Sequence, residues 1–213
     1  MASEPGVAGV LPPNIGEALK AGWNTFVAHS KVMVGGFAIF LGTVLFLLIL
    51  FQFLAGALGL ITVFLSIGAI MPPLLLMPGL FKMALKAVRG QKPDLRDLLI
   101  IFKDRPIHHV GLLMLQTCGA LLCVIGAIVT QAIFIPGSFM VLDRKMDWDS
   151  AMGLCVEQIK PKLPQWILFH FVMAVVAYVG VFGLIVGVLI TGPVALCAWA
   201  YAYEKSFGRS SGA

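Results

Sequence analysis

Long uncharged stretches dominate the hydrophobic pattern of the chain. Residues 32–81, 106–142 and 163–203 contain no Asp, Glu, Lys or Arg, and they are 50, 37 and 41 residues long. About 20 residues suffice for one helix to cross the hydrocarbon core of a bilayer. Each stretch therefore predicts two membrane-spanning helices, with turns near residues 55–59, 123–126 and 179–183. The predicted fold is an all-α integral membrane protein with six transmembrane helices in three hairpins.

An amphipathic segment precedes each predicted hairpin, because apolar residues recur there at intervals of three and four. These positions are Ile15, Ala18, Leu19, Trp23, Phe26 and Val27, then Leu95, Leu98, Leu99 and Phe102, then Trp148, Ala151, Met152, Cys155 and Ile159. We expect these segments to form helices that lie in the membrane interface. Asn14, Asp94 and Asp149 are their predicted N-caps.

Three prolines recur at nearly equal spacing, in the second predicted helix of each hairpin. Pro78, Pro136 and Pro193 are 58 and 57 residues apart. This spacing predicts three internal repeats, residues 14–93, 94–147 and 148–207, in one membrane domain between tails at 1–13 and 208–213. Proline frees the carbonyl four residues earlier, so each helix is expected to bend. The bend is interpreted either as a static kink that improves packing or as a hinge beside a cavity.

Every Lys, Arg, Asp and Glu lies outside the three uncharged stretches. With two spans per stretch, all charged segments fall on one side of the bilayer. Basic residues are retained on the cytoplasmic side, so both termini are predicted to be cytoplasmic. Hairpins that enter the bilayer and return without crossing would give the same pattern. The middle stretch, with about 18 residues per helix, is the shortest for a full crossing.

The composition also indicates a membrane protein. Charged residues make up 12% of the chain and AVILMFWYC residues 60%, whereas soluble domains contain about 25% charged residues. The net charge of +5 favours anionic lipid over nucleic acid as the partner, because the basic residues adjoin apolar segments and no nucleic-acid motif is present. The candidate headgroup contacts are Lys82, Lys86, Arg89, Lys92, Arg96, Lys103 and Arg105.

Few groups in the predicted spans are suited to chemistry. No metal-binding or hydrolase motif occurs, the four cysteines lack metal spacing, and neither a metal nor another cofactor is expected. His170 is the one candidate intramembrane base, and a turn near Gly180 would place it level with Thr191, for a hydrogen bond to Thr191 or to the carbonyl freed by Pro193. Gln116 and Gln131 mirror each other across the second turn. They are interpreted as a clamp within the hairpin or, alternatively, as part of a polar path.

The segments around the prolines resemble a known group of proteins. Residues 77–102 (MPGLFKMALKAVRGQKPDLRDLLIIF), residues 135–166 (IPGSFMVLDRKMDWDSAMGLCVEQIKPKLPQW) and residues 192–205 (GPVALCAWAYAYEK) resemble bacterial polytopic membrane proteins of unknown function. That group is similar in pattern to the membrane domain attached to some glycerophosphodiester phosphodiesterases. The resemblance implies a six-span protein of the cytoplasmic membrane and supplies no catalytic residues.

Three functions are compatible with these features. The leading hypothesis is a non-enzymatic multi-pass protein that acts through lipid and protein contacts as a scaffold, assembly factor or accessory subunit. The main alternative is a transporter or channel for small solutes or lipids, with proline-kinked helices around the path. A lipid-modifying enzyme that uses His170 ranks third. Glycines in the spans permit close helix approach, so a homo-oligomer or a membrane-complex partner is also considered.

Overall fold

The computed structural model describes residues 10, 12–58, 74–102, 106–121 and 123–208, and throughout these residues the regular structure is helical. The α-helices are α1 (Ile15–Ala28), α2 (Ser30–Leu58), α3 (Met77–Val88), α4 (Pro106–Leu121), α5 (Cys123–Arg144), α6 (Trp148–Ile159), α7 (Leu163–Val179) and α8 (Leu184–Phe207). Short 3₁₀ segments cover Leu95–Phe102, Lys160–Lys162 and Gly180–Gly183.

Three helical stretches in the described part of the chain are long and apolar enough to cross a membrane. They are Ser30–Leu54, Trp148–Gly183 and Val186–Phe207, with 25, 36 and 22 residues. The second of these comprises α6, α7 and the 3₁₀ segments that follow each of them. Length and apolar composition, the criterion applied to the uncharged stretches of the sequence, therefore indicate a membrane protein.

The three predicted turns fare differently. The first is wrong where it can be compared, because α2 continues through Ala55–Leu58, and residues 59–73 lie outside the described part. The second, predicted at residues 123–126, is wrong at these residues, because α5 begins at Cys123 and is helical through them; residue 122 lies outside the described part. The third is confirmed by a 3₁₀ segment at Gly180–Gly183 between α7 and α8. Small residues alone, as in Ala55–Gly56–Ala57, do not end a helix in an apolar stretch.

The ends of α7 and α8 next to this turn pack very closely as an antiparallel pair. A Cβ added at Gly187 would lie closer than 3.0 Å to the carbonyl oxygen of Gly180, so only glycine allows this contact. The Thr191 hydroxyl donates to the carbonyl oxygens of Ala177, at 3.0 Å, and of Gly187, at 3.1 Å. Farther along the pair, the His170 ring lies against Trp199. These contacts centre the reversal near residue 184.

The centre of the molecule is formed by α3, α5 and α8, which all contact one another. Phe139 of α5 packs between Phe81 of α3, at 5.0 Å between ring centroids, and Tyr203 of α8, at 5.2 Å. All three rings are buried. One continuous core extends from Ala18 to Phe207 around this aromatic contact.

The amphipathic segments pack on these three central helices in a regular order. The 95–102 segment contacts α3, α6 contacts α5, and α1 contacts α8. In the α1 contact, a Cβ at Gly22 would lie 2.8 Å from backbone atoms of Val194 and Ala198. Each segment thus covers the central helix that precedes it in the chain, and the first segment covers the last central helix.

The details of the amphipathic segments require three corrections. The Asn14 side chain accepts from the Gly16 amide at 2.9 Å, so that N-cap is confirmed. The second segment, however, is a 3₁₀ helix with non-helical backbone at Leu99, not an α-helix. The third helix begins one residue before the expected cap, so Asp147 occupies the N-cap position and Asp149 lies in the first turn. Six residues assigned to the apolar faces are exposed, namely Trp23, Val27, Leu95, Leu99, Phe102 and Trp148.

The prolines also occupy two kinds of position. Pro136 and Pro193 lie inside α5 and α8, which continue through them as helices. Pro78 instead lies in the first turn of α3, after a turn at Leu75 and Leu76. Proline fits that position because the first amides of a helix have no partner within it. The prediction that each proline lies inside a helix is therefore confirmed for Pro136 and Pro193 and wrong for Pro78.

Candidate functional site

Two regions combine polar groups with a defined geometry. The first is the charged end, defined here by the ion-paired residues Glu17, Arg89, Asp97, Asp143 and Glu204 with their partners. The second is a cavity among the apolar segments that includes His170 and Gln131 in its wall. The two regions differ in the kind of contact that they offer.

At the charged end, Arg89 joins the three central helices. Its guanidinium donates two hydrogen bonds to Asp143, at 2.6 and 2.8 Å, and one through Nε to Glu204, at 2.9 Å. The Tyr203 hydroxyl also donates to Asp143, at 3.2 Å. The hydrogen bonds from Arg89 to Asp143, aided by Glu204 and opposed by burial, raise the pKa of Arg89 above its ordinary value. Bidentate geometry of this kind is the strongest form of an ion pair.

A second ion-paired group connects α3 to the 95–102 segment. Lys86 donates to both Asp97 oxygens, at 2.9 and 2.7 Å, and Lys82 lies 3.3 Å from the same carboxylate. Burial acts to raise the pKa of Asp97, but the hydrogen bond from Lys86, the Asp94 amide and the two lysine charges outweigh it and lower the pKa. The Asp97 carboxylate therefore holds the 3₁₀ segment against α3 in its charged form.

A third group fixes α1 to the end of α8. Glu17 accepts a hydrogen bond from the Tyr201 hydroxyl at 2.6 Å and pairs with Lys205. The hydrogen bond from Lys205 and, to a smaller extent, the hydrogen bond from Tyr201 lower the pKa of Glu17. Because this group is exposed to solvent, it contributes less to stability than the Arg89 group does.

These ion pairs involve three of the residues that were predicted to contact lipid headgroups. Lys82, Lys86 and Arg89 direct their charges to carboxylates of the same chain. Lys92 and Arg96 have exposed side chains near the positive-φ turn at Gly90. Lys103 and Arg105 lie outside the described residues. Sequence reasoning missed the acidic partners Asp143 and Glu204, although Arg89 and Glu204 stand at the same distance, eleven residues, after Pro78 and Pro193.

The predicted hydrogen bond between His170 and Thr191 is wrong. Thr191 is bonded to Ala177 and Gly187, and His170 lies level with Trp199, 5.8 Å between ring centroids. The reason is the position of the reversal, which is about four residues later than Gly180. A shift of four residues in the centre displaces the opposing residue by about eight. His170 Nδ1 is buried without a hydrogen-bond partner among the described residues.

The two glutamines can be compared only in part. Gln131 lies on α5 in the wall of the cavity. The backbone of Gln116 belongs to α4, and its side chain is outside what the structure describes. The clamp between Gln116 and Gln131 therefore stays a prediction. Near the other end of α4, His108 contacts Asp147 at 3.3 Å, and His109 is buried.

The cavity has a volume of about 1180 Å³ and lies between α2, α3, α5, α7 and α8. Its described wall is mainly apolar and aromatic, and none of the described lining residues carries a formal charge at neutral pH. Hydrogen-bonding side chains in the wall are those of Gln131, His170, Tyr178 and Trp199. Such a wall suits an apolar molecule with few polar atoms and does not suit a hydrated ion.

The described residues do not assemble three or more His, Cys, Asp or Glu side chains in a position to hold a metal ion. At the charged end, the described carboxylates of Glu17 and Asp143 are bonded to Arg, Lys and Tyr side chains. These are contacts that hold helices together.

Comparison with known proteins gives no match to a family model, to a curated protein or to a solved structure. The resemblance to bacterial polytopic membrane proteins therefore stays a prediction from the sequence.

Proposed function

We propose that the chain is a six-span protein of a bacterial cytoplasmic membrane that acts without catalysis, through contacts with lipids and other proteins. In this proposal three helical hairpins form one bundle, and the amphipathic segments lie at the cytoplasmic interface. The protein would serve as a scaffold, an assembly factor or an accessory subunit of a membrane complex.

The packing order of the amphipathic segments supports three repeats. Each segment covers the central helix that precedes it, and α1 covers α8. This order is cyclic, as three equivalent units arranged around one axis would be. Arg89, Asp143 and Glu204 come from the three corresponding helices and meet at one point. Equivalent helices from three repeats would bring their ends together in this way.

The observation that carries the proposal is the separation of charged and apolar surface. The ion pairs that join helices lie at the charged end. Large apolar side chains are exposed on α2, for example Phe53 at 83%, and at the turn between α7 and α8, where Phe182 is 93% exposed. An exposed apolar surface of this kind indicates contact with lipid or protein. One polar end with an apolar remainder fits cytoplasmic charges on a bundle embedded in lipid.

Thiol labelling in intact cells tests the orientation. After the four native cysteines are replaced, Gly183→Cys places a thiol at the exposed turn, where an added Cβ meets no atom within 4 Å. Gln91→Cys provides the matched position on the charged side. A membrane-impermeant reagent added outside is expected to label Gly183→Cys only. Labelling of Gln91→Cys alone from outside would overturn the proposal.

The lipid contacts are tested with the two exposed basic residues of the 91–97 region. Each basic side chain near an anionic surface contributes about 1 kcal/mol. The double variant Lys92→Gln/Arg96→Gln is therefore expected to bind phosphatidylglycerol roughly 30-fold more weakly at low salt. Binding is measured as thermal stabilisation of the detergent-purified protein by added lipid. Lys20→Gln, on the exposed face of α1, is the control, and equal losses in both variants would contradict specific contact.

The cavity favours transport as a second candidate function. It brings Gln131 and His170 into one wall among proline-containing helices. A liposome assay for solute or lipid movement, with Pro136→Ala and Gln131→Leu as variants, separates this function from a scaffold. Movement by the wild type that both changes abolish would favour the transporter.

A further inference from the structure

We infer that the cavity is a binding site for a neutral lipid, a long apolar molecule whose uncharged head offers a hydroxyl or carbonyl group. The inference rests on the proposed membrane placement and extends it by naming the ligand class. It is carried by the shape of the cavity, by its uncharged wall and by the unpartnered nitrogen of His170.

The volume and lining define an apolar occupant. The cavity volume of about 1180 Å³ exceeds the roughly 300–1,000 Å³ that is typical of small-molecule sites. The cavity therefore has room for a molecule as large as a lipid. Phenylalanine side chains from α2, α3 and α7 contribute to the wall, with leucine, isoleucine and methionine between them. A hydrocarbon chain can pack against such a wall through van der Waals contacts and requires no polar partner.

The cavity opens sideways toward the lipid. Several lining residues of α7 and the following turn are exposed, which leaves the cavity open beside this helix; they are Phe171, Val175, Tyr178, Val179 and Phe182. In the proposed membrane placement this opening meets the acyl region of the bilayer. A lipid can therefore enter without crossing the charged end.

The length of the cavity matches one leaflet. His170 and Val179 both line it, and nine residues along α7 correspond to about 14 Å. Half of the hydrocarbon core of a bilayer is about 15 Å thick. His170 lies seven residues into α7, which starts directly after the basic segment Lys160–Lys162. A bound lipid would thus place its head near His170, toward the charged end, and its tail toward Phe182.

The chemistry of His170 selects the head group. A neutral imidazole offers one donor and one acceptor, and a hydroxyl can satisfy either, whereas a carbonyl can accept from the donor. A buried polar atom without a partner is unfavourable by about 1–3 kcal/mol. A phosphate or carboxylate head would bring a charge to a wall in which no described residue compensates it, which is far less favourable. The site is therefore selective for neutral lipids.

Tryptophan fluorescence gives a direct test, because Trp199 lines the cavity and its ring centroid is 5.8 Å from that of His170. The full chain is reconstituted in phosphatidylcholine vesicles, and diacylglycerol with brominated acyl chains is the quenching probe. We expect saturable quenching that unbrominated diacylglycerol reverses, and that is largely lost in Trp199→Phe. Phosphatidylcholine with the same brominated chains should quench only in proportion to its mole fraction.

Three variants test the site. The first two distinguish binding in the cavity from general contact with bilayer lipid, and the third tests the head group. Ala174→Phe, one turn from His170 in the cavity wall, should remove saturable quenching. Leu168→Phe, on the exposed side of the same helix, should leave it unchanged. His170→Phe keeps an aromatic ring and removes the hydrogen bond, so the apparent affinity should fall about fivefold. A thermal unfolding scan of each variant shows that it is folded.

Different results would contradict the site, the head group or the membrane placement. Equal quenching by both brominated lipids, or equal behaviour of Ala174→Phe and Leu168→Phe, would overturn the site. Unchanged affinity in His170→Phe would overturn the assignment of the head group. If Gly183→Cys is labelled only from outside and saturable quenching is still absent, the membrane placement stands and the lipid site is wrong.

Discussion

The charged end and the cavity region use polar groups in opposite ways. At the charged end, carboxylates and cations are paired across helices, as in the contact between Arg89 and Asp143. In the cavity region, an uncharged side chain, His170, has a buried nitrogen without a partner among the described residues. The first arrangement fixes helices relative to one another, because each ion depends on its partner. The second leaves a polar group available to a ligand.

This difference assigns separate roles to the two regions. A central ion pair with satisfied partners resists rearrangement, since moving one helix would expose or isolate a charge. An apolar cavity with few polar groups tolerates the exchange of its occupant, since no ion must be desolvated. Stability should therefore depend mainly on the charged end, and ligand selection on the cavity.

The largest effect on stability is expected for Arg89→Met. Asp143 has a side chain that is only 5% exposed, so removing the guanidinium leaves a largely buried carboxylate without its bidentate cation, although the Tyr203 hydroxyl still donates to it. A loss of about 3–5 kcal/mol in the free energy of unfolding is expected, measured by denaturant unfolding in detergent. Lys92→Met, at an exposed position, is the control and should change stability by less than about 0.5 kcal/mol.

A double variant sharpens this prediction. Adding Asp143→Asn to Arg89→Met removes the isolated charge while leaving an amide oxygen that can accept from Tyr203. The double variant should be more stable than Arg89→Met alone. If the loss of stability in the double variant equals the sum of the losses in Arg89→Met and Asp143→Asn, the two side chains do not act as a pair.

A smaller loss is expected for Gly187→Ala, at the contact between α7 and α8. The added Cβ would approach the backbone of Gly180 to less than 3.0 Å, and a backbone cannot move aside as a flexible side chain can. The expected loss is about 1–3 kcal/mol, measured by thermal unfolding. Gly153→Ala, in α6 with no atom within 4 Å of the new Cβ, should instead stabilise the protein by up to about 1 kcal/mol.

The membrane character and the amphipathic faces could be predicted because they follow from local patterns. The face formed by Ala151, Met152, Cys155 and Ile159 is buried, as its spacing indicated. The turn at Gly180–Gly183 was also found, since several glycines cluster there. These features depend on residues close together in the sequence.

Contacts between distant residues were harder to predict. The sequence does not identify Trp199 as the residue opposite His170, because the exact centre of the reversal decides which residues oppose each other and glycines occur at 180, 183 and 187. The partners of Arg89 were missed because Asp143 and Glu204 are 54 and 115 residues away. The cavity depends on five helices at once, and no local pattern encodes their spacing.

The smallest effect concerns Asp97, and pH makes it measurable. Its folded-state pKa lies below the ordinary value of 3.8, so the carboxylate stabilises the folded protein above that pH. This contribution is lost as the pH falls through 3.8 toward the lower folded-state pKa. Asp97→Asn lacks the contribution at every pH. The difference in melting temperature between wild type and Asp97→Asn should therefore be largest near neutral pH and should shrink below about pH 4. Asp149→Asn, on the exposed side of α6, controls for the loss of a carboxylate at a position without such an ion pair. A difference between wild type and Asp97→Asn that grows on acidification would show that Lys82 and Lys86 do not hold the 95–102 segment through this carboxylate, and the charged end would then have to be fixed by Arg89 and Glu17 alone.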